Sequence, residues 1–424
     1  MDVKAEALVV GAGPAGSTAA EELAKAGVDV ALLDRAAFPR DKTCAGGLLY
    51  HALREFPHLN SLVHSYNRAV HLHPPSLSKV LKASSPPGGP PLLAQAGGRR
   101  QFDASLVERA RRAGAQFYPG RRVTGLVEMP DRVELIIADG SVARGLVVVG
   151  ADGARTTVGR AAGLVDRRVD PDDAGLAAEV EIALPPDFEA AAYGEALPVH
   201  LFLHYGGLPG YGWVFPRRGA VNVGLGTSLT HAGALLPVLR RFLGDLGELG
   251  LLPRGARAGD GWGEGEGTVA KPRVAQLPAR RPSRPAATRR VLLAGDAGGF
   301  CSAATGEGIY YGMVTGRLAG SVAARALTSG DLKRRSAKAK ALADYDREWR
   351  RTLGRELGFH YLVKERVLTS QRRCEKAVRW GTLDPKLGPL FADFLVGRVD
   401  PRGLGRKMAW HYLRCKLKEK LGRL

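Results

Sequence analysis

Cysteine is scarce in this chain. Four cysteines occur among 424 residues, at positions 44, 301, 374 and 415, with no CxxC pair and no histidine at ligand spacing. A disulfide framework or a zinc site would require cysteines at closer, regular spacing. We therefore predict no metal site and no disulfides, which is typical of a protein from a reducing, cytoplasmic compartment.

Long apolar runs are also absent. No stretch approaches the ~18–20 uninterrupted apolar residues that cross a bilayer. Asp2, Lys4 and Glu6 lie where the apolar part of a secretory leader would begin, so we expect none. The expected location is cytoplasmic, and any membrane association is expected to be peripheral, on the inner face of the membrane.

Acidic residues are few relative to basic ones. The chain has 42 Asp and Glu against 62 Lys and Arg, which gives a formal net charge of +20. Hydrophobic residues make up 45% and charged residues 25%, and this balance excludes a disordered or fibrous chain. The basic excess predicts an anionic partner. Nucleic acid is not expected, because the basic residues are scattered and no nucleic-acid-binding motif accompanies them.

The strongest motif lies at the start of the chain. The apolar run 7–10 leads directly into Gly11-Ala12-Gly13-Pro14-Ala15-Gly16, and a helical pattern follows. A second apolar run, 30–33, ends at Asp34. A GxGxxG that joins a strand to a helix, with an acid at the end of the next strand, predicts a Rossmann-like dinucleotide site.

Each position in this motif has a physical role. Gly11 permits the tight turn, Gly13 lets the backbone approach a pyrophosphate, and Gly16 lets the helix pack on the sheet. The helix N-terminus presents free N–H groups to the phosphates. Asp34 can accept hydrogen bonds from ribose hydroxyls. NAD and FAD share this fingerprint, so the motif alone leaves both open.

Three later segments decide between them. An apolar strand pattern at 147–153 ends in Asp152-Gly153, and another at 291–297 contains Gly295-Asp296. Arg99 lies three residues before a Phe-Asp pair that opens a helical stretch. Together with the first motif, this set resembles FAD-dependent oxidoreductases of the glutathione-reductase-like, p-hydroxybenzoate-hydroxylase-related fold.

Further motifs narrow the resemblance to the geranylgeranyl reductase family. These are Cys44-Ala45-Gly46-Gly47-Leu48, Tyr211-Gly212-Trp213-Val214-Phe215-Pro216 and Thr305-Gly306-Glu307-Gly308-Ile309. The resemblance implies FAD as cofactor, with Asp296 on the ribityl chain and Arg99 at the flavin. The cofactor-binding residues that it implies are Gly11, Gly13, Ala15, Gly16, Asp34, Arg35, Cys44, Ala45, Gly47, Arg99, Val123, Asp152, Asp296, Gly308 and Ile309.

The expected fold class is α/β, with a Rossmann-like FAD-binding domain interleaved with an antiparallel-sheet substrate domain and followed by a helical region. The FAD-binding domain is predicted at 1–170, with an irregular Pro-rich insert at 74–98, and again at 285–330. Alternating apolar and polar residues predict the substrate sheet at 171–284, and residues 331–424 are predicted to be basic and helical. The segment 272–290, with six arginines and four prolines, predicts a solvated loop.

The resemblance implies an oxidoreductase that reduces isolated C=C bonds of a prenyl (geranylgeranyl-type) lipid or another isoprenoid, by hydride transfer from N5 of reduced flavin. The external electron donor would be NAD(P)H or a ferredoxin-like protein. A flavin monooxygenase or halogenase on the same scaffold is the alternative, and a non-catalytic lipid-binding protein is a further one.

Two features are candidates for the substrate chemistry. Tyr211, Trp213 and Phe215 alternate along the chain, so on a strand all three point to one face. They are either sheet core alone or also the wall of a prenyl pocket. Cys44 is the candidate catalytic thiol, which either relays a proton or fills space as a small apolar side chain.

The C-terminal segment is basic and amphipathic. Residues 398–424 carry nine Lys and Arg against two acids, and an apolar stripe at helical spacing comprises Trp410, Leu413, Leu417, Leu421 and Leu424. Such a helix either lies on an anionic membrane surface, which we expect to involve 401–424, or packs on the protein's own body.

Overall fold

The structure, a computed structural model, describes residues 2–86, 88–253, 271–332, 342–384, 386–395 and 401–420. The chain forms two compact units and passes between them several times. The first unit contains Met1–Lys42, Gly98–Asp173 and Gln276–Gly358. The second contains Thr43–Gly97, Ala174–Ala275 and Phe359–Leu424.

The strands and helices follow one another in α/β order along most of the chain. The strands are β1 Val3–Lys4, β2 Ala7–Val10, β3 Val30–Leu33, β4 Gly47–Leu49, β5 Val63–Asn67, β6 Ala69–His73, β7 Leu81–Ser84, β8 Leu93–Ala96, β9 Gln116–Tyr118, β10 Val123–Glu128, β11 Val133–Ile137, β12 Val142–Gly145, β13 Val147–Gly150, β14 Ala174–Ala183, β15 Val199–Leu203, β16 Tyr211–Arg217, β17 Ala220–Ser228, β18 Arg273–Pro278 and β19 Val291–Leu293. The helices are α1 Pro14–Lys25, α2 Tyr50–Glu55, α3 Arg99–Arg112, α4 Thr157–Ala161, α5 Pro186–Tyr193, α6 Ala232–Glu248, α7 Ile309–Thr328, α8 Ala343–Thr352, α9 Gly354–Val363, α10 Gln371–Leu383, α11 Leu387–Leu395 and α12 Pro401–Lys420.

The first unit is built on a parallel sheet. Its five strands lie in the order β19-β13-β2-β3-β9, and every pairing is parallel. Strands β2, β3, β13 and β19 are apolar and buried along their whole length, as expected for a sheet covered on both faces. A second sheet, in the order β1-β12-β11-β10, contains the antiparallel β11–β12 hairpin.

Small residues bring two helices of the first unit into close contact. A Cβ atom built on Gly316 of α7 would lie 2.1 Å from the carbonyl oxygen of Ala15 in α1. A Cβ atom built on Gly16 would lie 1.8 Å from the carbonyl oxygen of Gly11. Since neither site has room for a side chain, glycine at these positions fixes α1 against both α7 and the turn that precedes it.

The second unit is built on a seven-stranded sheet in the order β18-β14-β17-β16-β15-β6-β7. Strands β14, β17, β16 and β15 pair antiparallel, as do β6 and β7, whereas β6 joins β15 in parallel. A three-stranded antiparallel sheet, β4-β8-β5, belongs to the same unit. The predicted α/β class and the predicted antiparallel sheet are both confirmed.

One face of the seven-stranded sheet carries the main apolar core of the second unit. The rings of His73 and Phe202 stack with centroids 4.0 Å apart, and Phe202 meets Phe242 of α6 at 5.0 Å. Burial lowers the pKa of His73 to about 4 and that of His200 to about 2, so both imidazoles are neutral at pH 7. The register places Trp213 opposite Leu201, and therefore on the other face from Phe202.

The unit boundaries differ from the predicted domain ranges. The sequence assigned 43–97 to the FAD-binding domain with an irregular insert at 74–98, whereas the structure groups these residues with the second unit. Strands β7 and β8 lie inside the insert, and its prolines flank them. The parallel pairing of β6 with the distant β15 ties this segment to the sheet, and no local sequence pattern reveals such a pairing.

Residues 272–290 also differ from the predicted solvated loop. The segment begins with β18, and Arg290 at its end is fully buried. The Arg290 guanidinium donates hydrogen bonds to the carbonyl oxygens of Leu146, Leu332 and Pro130. Those carbonyls pair with the Nη1 and Nη2 donors, which offsets much of the cost of burying this arginine, while Nε has no partner among the described residues.

The C-terminal helices of the second unit leave one side of α12 exposed. Trp380 of α10 meets Tyr412 with ring centroids 4.6 Å apart, and Cys415 is buried nearby. By contrast, Trp410, Leu413 and Leu417 are 67%, 59% and 60% exposed. Leu421 and Leu424, the rest of the predicted stripe, lie outside the described residues. Within the described part of the chain, no helix combines the length and apolarity needed to span a bilayer.

Candidate functional site

The glycine turn of the first unit has the predicted strand–turn–helix geometry. Strand β2 ends at Val10, Gly11 adopts φ +96°, and α1 begins at Pro14 with Gly13 as its N-cap. No side chain caps this helix N-terminus. A Cβ atom on Gly13 would meet only the Arg40 guanidinium, at 3.9 Å. The open backbone, the uncapped N–H groups and a cation beside them suit a pyrophosphate.

Asp34 holds this turn in place. One carboxylate oxygen of Asp34 accepts a hydrogen bond from the Ala12 N–H at 2.7 Å, and the other accepts one from the Ala36 N–H at 2.8 Å. Each oxygen keeps a second lone pair, so the carboxylate remains able to accept ribose hydroxyls. Arg35, the next predicted residue, has its side chain exposed.

A buried ion-pair cluster lies near the same turn. Asp103 is fully buried and accepts hydrogen bonds from Arg99 Nε and Nη2, both at 2.8 Å. Arg40 Nη1 lies 3.0 Å from the same carboxylate. Two guanidiniums share one carboxylate, so the cluster keeps a net positive charge that suits an anionic cofactor. Arg40 was not predicted from the sequence, because its partner lies in another part of the chain and no local motif marks it.

Asp152 has a local structural role. Its carboxylate accepts hydrogen bonds from the Thr156 hydroxyl at 2.5 Å and from the N–H groups of Thr157 and Val158 at 2.6 and 3.1 Å. These bonds close the turn that starts α4. Burial raises the pKa of Asp152, although its hydrogen bonds oppose that shift. Val123, another predicted cofactor contact, is buried in the apolar core at the start of β10.

The segment before α7 places Asp296 beside a glycine. Asp296 Oδ1 would lie 3.1 Å from a Cβ atom on Gly308, and no hydrogen-bond donor to this carboxylate is found among the described residues. The Glu307 carboxylate accepts a hydrogen bond from the Tyr310 N–H at 2.8 Å. Burial raises the pKa of Glu307 to about 7. Ile309, the first residue of α7, is buried. Asp296 thus remains available to a polar ligand such as a ribityl chain.

The aromatic residues of β16 lie on one face of the second unit's sheet, as the sequence predicts. The ring centroids of Tyr211 and Trp213 are 6.2 Å apart, and those of Trp213 and Phe215 are 6.4 Å apart. Trp213 is buried, whereas Tyr211 and Phe215 are half-buried. We call these three residues the aromatic face.

Gly224 makes room for the central ring of this face. A Cβ atom on Gly224 would lie 2.2 Å from Trp213 Cζ2, so any side chain there would displace the indole. The Trp213 Nε1–H donates to Asn222 Oδ1 at 2.8 Å. Gly224 and Asn222 were not predicted from the sequence, because their role depends on the register of β16 with β17.

The Cys44 loop belongs to the same unit as the aromatic face. The Cys44 N–H donates to Glu179 Oε1 at 2.9 Å, and the half-buried thiol accepts a weak hydrogen bond from the Gly46 N–H at 3.5 Å. A Cβ atom on Gly47 would lie 3.3 Å from Phe215 Cε2. The structure therefore groups Cys44, Ala45 and Gly47 with the predicted substrate residues, in a different unit from the glycine turn.

Comparisons with known proteins agree with this architecture. The FAD binding domain family matches residues 4–189. The chain is 32% identical to a menaquinone reductase of Mycolicibacterium smegmatis over 363 residues, which cover 82% of this chain and 80% of that protein. It is 31% identical to a digeranylgeranylglycerophospholipid reductase of Methanocella arvoryzae over 385 residues, which cover 85% and 87%.

A solved structure shares the fold. The crystal structure of a geranylgeranyl bacteriochlorophyll reductase-like protein from Thermoplasma acidophilum has a TM-score of 0.77 to this chain at 23% identity, and the match covers 93% of this chain and 96% of that one. The predicted FAD cofactor and the predicted fold class are confirmed.

Asp34→Ala tests the role of the turn. The substitution leaves the Ala12 N–H without its acceptor and removes the predicted ribose acceptor. Because a hydrogen bond to a charged group contributes about 1.5–3 kcal/mol, we expect FAD affinity to fall about tenfold to hundredfold. Titration of the flavin-free protein with FAD measures this loss. Asp29→Ala, at an exposed aspartate that bonds the Gln116 side chain, serves as the control. Equal affinity of the two variants would contradict the assignment.

Proposed function

Because the chain belongs to the geranylgeranyl reductase family of FAD-dependent oxidoreductases, we propose that it reduces isolated C=C bonds of an isoprenoid chain. The observation that carries this proposal is the aromatic face, which shares one unit with the Cys44 loop. The two relatives support the substrate class, since the lipid and the quinone in their names both bear isoprenoid chains.

The chemistry of an isolated alkene sets what the protein must provide. Reduced FAD, when bound, supplies the hydride for one carbon of the double bond. An isolated alkene is not polarised, so the substrate must be held close to both the hydride and a proton source. In this proposal Tyr211, Trp213 and Phe215 bind the prenyl chain through apolar contact and exclude water. Cys44 Sγ is the proposed proton donor to the second carbon.

Product analysis tests this function. Holoenzyme reduced with dithionite is incubated without oxygen with a geranylgeranyl lipid and, separately, with menaquinone. After re-exposure to air, which returns any quinol ring to the quinone, mass spectrometry counts the hydrogens retained. We expect a gain of two hydrogens for each double bond reduced, and retention of flavin but loss of this product in Cys44→Ala.

Two results would argue against the proposal. No mass gain with either isoprenoid from fully reduced enzyme would remove alkene reduction as the activity. A product that forms only when oxygen is admitted would favour the monooxygenase or halogenase chemistry instead. Unchanged turnover in Cys44→Ala would leave the reductase assignment intact and remove Cys44 as the proton donor.

We further propose that α12 lies on an anionic membrane surface. Trp410, Leu413 and Leu417 share the exposed side of the helix, and the opposite side is held to the unit by contacts such as the His411 Nδ1 bond to Asp384 at 2.9 Å. Exposed basic side chains on the same helix comprise Arg406, Lys407, Arg414 and Lys416. Each adds roughly 1 kcal/mol of attraction to an anionic surface.

Vesicle co-sedimentation tests the membrane proposal. We expect the protein to pellet with phosphatidylserine-containing vesicles at low salt, and to be released at high salt or with neutral vesicles, because salt screens the basic residues. The triple variant Trp410→Ser, Leu413→Ser, Leu417→Ser should stay in the supernatant. Leu229→Ser with Leu249→Ser changes exposed leucines elsewhere and should pellet normally. Equal pelleting of the triple variant and the wild type would contradict the proposal.

A further inference from the structure

Glu179 is a buried carboxylate with partners on three different segments of the second unit. Its side chain is 2% exposed and lies on β14. One oxygen accepts the Cys44 N–H at 2.9 Å and also faces Arg273 Nη2 at 3.3 Å. The amide of Asn222 stabilises the ionised carboxylate as well. The carboxylate therefore connects the Cys44 loop to two strands of the main sheet.

The connection continues to the aromatic face. Glu179 lies opposite Gly224 in the register of β14 with β17, and Gly224 lies opposite Trp213 in the register of β17 with β16. The missing side chain at Gly224 lets the indole lie across β17, where its Nε1–H reaches Asn222 Oδ1. Cys44, Glu179, Asn222 and Trp213 thus form one continuous chain of polar contacts.

Burial of a carboxylate at this point is energetically unfavourable by itself. Burial raises the pKa of Glu179, while the Cys44 N–H, Arg273 and Asn222 oppose the shift. Two positions along the same strand, Glu181 points to the same face, is 42% exposed and pairs with Arg217. An acid on this face of β14 can therefore remain exposed, as Glu181 does. The hydrogen-bond partners of Glu179 explain why Glu179 is buried.

We infer that Glu179 is a positioning residue, which fixes the Cys44 loop relative to Trp213 through its hydrogen bond with the Cys44 N–H and its contact with Asn222. The inference rests on the proposed function for its catalytic consequence, since Cys44 is the proposed proton donor and Trp213 part of the proposed prenyl site. The positioning itself is a property of the second unit and is measurable without any substrate.

The first experiment measures loop mobility in the substrate-free holoenzyme. The rate at which iodoacetamide alkylates Cys44 is followed by mass spectrometry of its peptide, and the other three cysteines are buried. In Glu179→Ala we expect alkylation at least about tenfold faster than in the wild type, the change that corresponds to one lost hydrogen bond to a charged acceptor. Glu179→Gln, which keeps an acceptor for the Cys44 N–H, should return close to the wild-type rate. Glu181→Ala is the matched control and should not differ from the wild type.

A second measurement needs no variant, and so holds even where Glu179→Ala fails to fold. Hydrogen exchange of the wild-type protein should show the Cys44 amide protected relative to that of Ala45, although both lie outside the strands and helices. Wild-type alkylation rates in folded Glu179→Ala, or a Cys44 amide that exchanges as fast as that of Ala45, would overturn the inference.

Turnover separates this inference from the proposed function. Glu179→Ala should lower kcat for alkene reduction about tenfold or more while flavin content is unchanged, and Glu179→Gln should restore most of it. Absence of alkene reduction in the wild type would end the proposed function and leave the alkylation and exchange results valid. If alkylation is faster in Glu179→Ala but kcat is undiminished, the positioning of the Cys44 loop by Glu179 does not contribute to catalysis, and that part of the inference is overturned.

Discussion

Every buried carboxylate in this protein must find donors, and this requirement fixes the segments that carry its function. Asp34 binds the N–H of Ala12 and so holds the glycine turn. Asp103 forms ion pairs with the guanidiniums of Arg99 and Arg40. Glu179 binds the N–H of Cys44 in the other unit. For Asp34 and Glu179, a charge that is costly to bury accepts a hydrogen bond from a distant segment, and for Asp103 the distant Arg40 adds an ion pair to the bonds from Arg99 on the same helix. The fold and the site geometry therefore share a cause.

In the proposed function, the two units contribute different parts of the chemistry. The first supplies an uncapped helix N-terminus, a cation pair and the available carboxylate of Asp296, all suited to a long, charged dinucleotide. The second supplies the aromatic face, in which Gly224 leaves room for the Trp213 indole, and the loop that bears Cys44. FAD carries the redox chemistry, and the protein's own share is to bind, orient and exclude water.

The sequence predicted features that depend on local order. The glycine turn, the Asp34 position, the parallel strands and the one-sided placement of Tyr211, Trp213 and Phe215 all follow from spacing along a single strand or turn. The assignment of 43–97, the burial of Arg290, and the roles of Arg40, Asn222 and Glu179 were missed. Each of these depends on a partner far along the chain, such as the pairing of β6 with β15, which no local pattern contains.

In the proposed function, the reduced enzyme passes its electrons to an isolated isoprenoid double bond. The most direct test is a single turnover without oxygen, in which flavin absorbance near ~450 nm is followed after reduced holoenzyme is mixed with a geranylgeranyl lipid. We expect the oxidised flavin spectrum to return with this lipid and not to return with its fully saturated analogue. A flavin that stays reduced with both lipids, and is oxidised only when oxygen is admitted, would contradict the proposed function.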